Sequence, residues 1–74
     1  MKFDFYPLKA KMLQKNVTAV SLAWSINMKY STLKAKLENE SQFKQEEIVL
    51  VCDVLGIPLE QSGKYFSVLA KETE

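Results

Sequence analysis

The sequence predicts an all-α fold, a compact domain of five short helices, and three observations carry that prediction. Apolar residues recur at helical spacing through most of the 74 residues. Residues that start and stop helices, among them Thr18, Gly56 and Pro58, fall at the ends of the apolar runs. A chain of this length has room for one core and buries only about 60% of its unfolded surface, so its stability must come from close helix packing.

The first helix is expected where Phe5, Leu8 and Met12 stand at i, i+3 and i+7, with Leu13 beside them. Pro7 lies where a first turn tolerates proline, and Asp4 is placed to cap the turn. The second opens at Thr18, a good N-cap, and carries the narrow stripe Leu22, Ala23 and Ile26, in which Ala23 lets another helix come close. The third turns Leu33 and Leu37 inward, and Tyr30, Ser31, Lys34, Ala35 and Glu38 outward.

IVLVCDVLGI is rich in β-branched residues and reads locally as a buried strand. Ile48, Val51, Cys52 and Leu55 nevertheless keep helical spacing, Gly56 suits the left-handed stop and Pro58 blocks continuation, so a fourth helix is predicted. Phe43 and Ile48 stand at hydrophobic-staple positions around Lys44 as N-cap, with Glu47 at the third helical position. A short fifth helix is predicted over 58–65 despite Gly63. The domain is placed at residues 1–66, and 67–74 form a C-terminal tail compatible with a frayed end, a helix extension, a strand or a dimer contact.

Residues 27–29 fit neither the second helix nor the third. Asparagine is the usual substitute when a left-handed helix stop lacks glycine, so Asn27 ends the second helix, Met28 turns back to the core and Lys29 starts the third. The unit is helix, three-residue turn, helix, which presents its second helix as an edge suited to a DNA major groove.

Composition excludes several functions. There is no histidine and a single cysteine, Cys52, so the common zinc sites, histidine acid-base chemistry and an internal disulfide are ruled out. Cys52 reads as a small core residue, and Glu46 and Glu47 as first-turn carboxylates favoured by the helix dipole. No enzyme, cofactor, metal or small-molecule substrate is expected. No apolar run reaches the roughly 18 residues of a membrane span, so a cytoplasmic protein is expected. The net charge of +1 hides an asymmetry: residues 1–36 carry seven lysines and one acid, residues 37–74 three lysines and eight acids. A basic face of this kind attracts a polyanion in one orientation. Every basic residue is lysine, a point charge suited to phosphate rather than to bidentate guanine reading.

LAWSINMKYSTLKAKLENE resembles the helix-turn-helix core of the lambda-repressor-like (Cro/CI, XRE) family, with matches at Leu22, Ala23, Ile26, Met28, Thr32, Leu33 and Leu37. EEIVLVCDVLGIPLEQSGKYF resembles that family's fourth and fifth helices, and MKFDFYPLKAKM the start of small phage and prophage Cro-like regulators. Departures are Asn27 for glycine, Lys29 for serine, and the acidic pair Glu38 and Glu40. The resemblance implies a sequence-specific transcriptional regulator, a dimer that reads operator DNA with its third helix. Base contacts are then expected at Tyr30, Ser31, Lys34, Ala35 and Ser41, and phosphate contacts at Thr18, Ala19, Lys29, Lys36 and Lys44. Ala19 and Tyr30 exclude the paired-glutamine adenine clamp of several relatives.

Helices 3 and 4 both begin with lysine at the N-cap, where an uncapped turn costs about 0.5–2 kcal/mol relative to serine or threonine. DNA phosphates are expected to fill those two gaps, with capping by Ser31, Ser41 or water as the alternative. Trp24 is a candidate protein contact, with a ring folded over helix 1 as the alternative. The competing function is an antirepressor that binds a partner repressor protein instead of DNA; its supports are the low net charge, Glu38, Glu40, the absence of arginine and Trp24.

Overall fold

The computed structural model describes residues 2–69. Among them are five α-helices, α1 (Tyr6–Gln14), α2 (Ala19–Ser25), α3 (Tyr30–Leu37), α4 (Gln45–Leu55) and α5 (Gly63–Phe66), with a single 3₁₀ turn (Leu59–Gln61) before the last. Strand pairing among the described residues is limited to an isolated antiparallel bridge between Phe3 and Leu69. Residues 67–69 therefore return to the N-terminal segment, where the Asp4 N–H donates to the Val68 carbonyl at 2.7 Å. The expectation for 70–74 lies outside the described residues.

Local chemistry accounts for the starts of α1, α2 and α4. The Asp4 carboxylate accepts the Tyr6 N–H at 2.9 Å ahead of Pro7 in the first turn of α1. Thr18 accepts the Ser21 N–H at 3.0 Å while the Ser21 hydroxyl oxygen accepts the Thr18 N–H at 3.0 Å, a reciprocal capping box. At α4 the Glu47 carboxylate reaches back to the Lys44 N–H at 2.8 Å.

The stops repeat one device. Asn16, Asn27, Asn39 and Gly56 all adopt positive φ, between 57° and 69°, directly after α1, α2, α3 and α4. In each case the next amide reaches five residues back, Val17 to Met12, Met28 to Ala23, Glu40 to Ala35 and Ile57 to Cys52, at 2.8–2.9 Å. These are Schellman closures, which satisfy carbonyls the helix end leaves open. Asparagine thus does glycine's work three times, and a protein with two glycines makes four tight corners.

Leu8, Leu22, Leu33, Val51, Cys52 and Leu55 are fully buried at the centre, where α2 packs against both α3 and α4, and α1 packs on α5. An edge-to-face aromatic chain joins the remaining parts: Phe5 to Phe43 at 5.5 Å between ring centroids and Phe43 to Phe66 at 5.1 Å. Burial pushes the Cys52 thiol pKa up, away from reactivity, in keeping with its core position.

Two expectations are corrected. Leu13 is 79% exposed: α1 carries a second stripe of Tyr6, Ala10 and Leu13, and the core takes Phe5, Leu8 and Met12 instead. The continuous helix over 58–65 is replaced by the 3₁₀ turn and the separate α5, a path that leaves Leu59 exposed and brings Phe66 into the core.

Candidate functional site

The corner between α2 and α3 sets the candidate site. Ile26 and Lys29 flank Asn27 and Met28; the Asn27 N–H reaches the Trp24 carbonyl at 3.2 Å, and half-buried Met28 packs onto the core. With Leu33 and Leu37 held inside, the opposite face of α3 is left to solvent. Tyr30 is 45% exposed, Ser31, Thr32 and Lys34 are exposed, and Ala35 is half-buried. No side chain caps the first turn of α3 at Lys29, so Ser31 does not fill that role.

Thr18 is exposed and Ala19 half-buried at the start of α2. The Thr18 hydroxyl oxygen is occupied as an acceptor, but its proton remains free to donate. Ser41 and Lys44 are exposed in the connection from α3 to α4, with Glu38 and Glu40 exposed beside them. Trp24 is 83% exposed, which overturns the ring folded over helix 1. It lines a groove of about 490 Å³ with Val20, Ala23, Asn27, Met28, Lys29 and Tyr30. Trp24, Lys29 and Tyr30 are therefore brought together at the corner, while Ser41 and Lys44 belong to the later connection.

Lys36 requires a correction. The expected phosphate contact is 5% exposed and lies on the inward face with Leu33 and Leu37. Its ammonium donates to Glu47 Oε1 at 2.5 Å and to the Gln42 carbonyl at 3.2 Å. An ammonium so enclosed cannot reach a phosphate. The signal was present in the sequence: positions 33, 36 and 37 share one helical face, and the lysine's charge masked that spacing.

Burial alone would raise the Glu47 carboxyl pKa, but the Lys36 hydrogen bond, the Lys44 N–H and the two ammonium charges outweigh it and hold the group below its ordinary value of 4.5. A depressed carboxyl contributes stability fully above its unfolded value and loses it as pH falls through the folded one. Urea midpoints are accordingly expected to fall as pH drops below 4.5, more steeply for wild type than for Glu47→Gln. Parallel curves for the two proteins would contradict this assignment.

Among the described residues no helix is long and apolar enough to cross a membrane. A family model described as "Protein of unknown function (DUF739)" matches residues 1–68. No curated protein matches the chain.

Proposed function

The chain belongs to this DUF739 family, and from that premise we propose that it is a sequence-specific DNA-binding transcriptional regulator, a Cro-like repressor of a phage or prophage switch. The observation that carries the reading is the corner at Asn27, which sets α3 with its apolar side buried and its polar side open. As a helix-turn-helix, α2 and α3 would lay that open side in the major groove. Tyr30, Ser31, Lys34, Ala35 and Ser41 then face bases, while Thr18, Ala19, Lys29 and Lys44 meet phosphates. Lys36 has no part in the contact. Two copies on half-sites about 34 Å apart supply the specificity that one small reader lacks.

A second reading rests on Trp24. A tryptophan this exposed beside an apolar groove suits a protein partner, and Glu38 and Glu40 disfavour phosphate nearby. The chain would then act as an antirepressor on a partner repressor.

Titration with a pool of duplex DNA across a salt series separates the two. For about four neutralised phosphates the DNA reading expects affinity to fall about 10²-fold between 50 and 200 mM salt. Affinity that ignores salt, or no binding at the lower concentration, sinks it in favour of the partner-protein reading.

A further inference from the structure

Lys36 is the one charged residue buried among the described residues, and the contact surface above leaves it unused. Its ammonium sits between three pieces of chain. It extends from the C-terminal half of α3, donates to the Gln42 carbonyl in the connection 38–44, and pairs with Glu47 in the first turn of α4. The same Glu47 oxygen accepts the Lys44 N–H. This is also the one ion pair among the described residues.

Packing alone does not call for a lysine here. An apolar side chain would fill the space, and buried pairs replaced by well-packed apolar residues are often neutral or more stable. A hydrocarbon contact has no preferred direction, whereas an ammonium between a carbonyl and a carboxylate prescribes both distance and angle. The residues placed by that prescription are Ser41, next to Gln42, and Lys44, next along the Glu47 bond.

We propose that Lys36 is a positioning residue: through Gln42 and Glu47 it holds Ser41 and Lys44 at a set place relative to Tyr30, Ser31 and Lys34, so that the two surfaces meet one duplex in register. The proposal rests on the DNA-binding reading. It assigns the choice of an ion pair, over an apolar pair that would be about as stable, to discrimination between sequences and not to affinity for phosphate.

The test compares wild type, Lys36→Met/Glu47→Met and Glu47→Gln. Each is titrated across a salt series with a duplex that wild type selects from a randomised pool, and with a scrambled duplex of equal length; urea unfolding is measured in parallel. The double variant is expected to unfold near the wild-type midpoint, to keep the wild-type salt slope, and to lose about tenfold of its preference for the selected duplex, the worth of about one base contact. Glu47→Gln keeps an acceptor for the Lys44 N–H and is expected to lose preference in the same direction, and it decides the matter should the double variant not fold. Wild-type preference in the folded double variant, or in Glu47→Gln where that one must decide, reduces the pair to a structural role and overturns the proposal. So does a salt slope lowered by about two, one phosphate in each copy, which would mean that Lys36 itself touches a phosphate. Failure of the underlying function shows itself separately, as a wild-type protein that selects no duplex at all.

Discussion

An Asn39→Ala protein is expected to be about 2–3 kcal/mol less stable than wild type, from about 1 kcal/mol for each of two hydrogen bonds and up to about 1 kcal/mol for losing the short polar side chain that lets asparagine tolerate the left-handed region better than alanine. Asn39 stops α3 at a φ of 63°, and its side chain also clips the N-terminal segment: Oδ1 accepts the Phe3 N–H at 2.7 Å and Nδ2 donates to the Phe3 carbonyl at 2.9 Å. Phe3 in turn bridges to Leu69, so one side chain ties α3 to both ends of the described chain. Asn39→Gly separates the two contributions, because it keeps the backbone conformation and loses only the clip. Urea unfolding followed by far-ultraviolet circular dichroism should rank wild type above glycine and glycine above alanine. Trp24 fluorescence is a poor reporter, since the ring is already in solvent. Equal stability of all three proteins would mean that the clip is not made in solution. Against a total of about 5–15 kcal/mol for a typical domain, a loss of this size is large.

The second large effect moves stability and binding in opposite directions. α3 and α4 each start at a lysine, with no side chain capping the turn at Lys29. Serine at either position supplies the missing acceptor, worth about 0.5–2 kcal/mol; at position 44 it would complete a box whose other half, Glu47 to the backbone N–H, already exists. Lys29→Ser/Lys44→Ser should therefore unfold at higher urea. If the two lysines meet phosphates in each of the two copies, the same protein loses four released counterions, which lowers the salt slope by about 3.6 and the affinity about 10³-fold at 0.15 M salt. Higher stability with unchanged binding would refute the phosphate role while leaving the capping argument intact.

Most of the helical frame was legible because its signals are local. Thr18, Asn27, Gly56 and the pairing of Lys44 with Glu47 act within five residues, through backbone amides that a helix end must satisfy wherever it lies. Asn16 and Asn39 carry the same signal as Asn27, and the repeated use of asparagine as a stop was readable at those positions too. Leu13 shows the limit of periodicity. α1 has two apolar stripes, Phe5, Leu8 and Met12 against Tyr6, Ala10 and Leu13, and spacing alone cannot say which one the rest of the chain will cover.

The candidate site divides along the same line. That the polar residues of α3 share one face follows from 3.6 residues per turn, so the exposure of Tyr30, Ser31 and Lys34 is written in the sequence. What only the tertiary structure decided is the partner that Lys36 finds, the reach of Asn39 and the exposure of Trp24. Glu47 lies 11 residues from Lys36, and Phe3 lies 36 from Asn39. A short-range code specifies where each helix begins and ends; whether a lysine on its inner face is an error or an anchor depends on a carboxylate delivered by another helix, and that partner exists only once the chain has closed on itself.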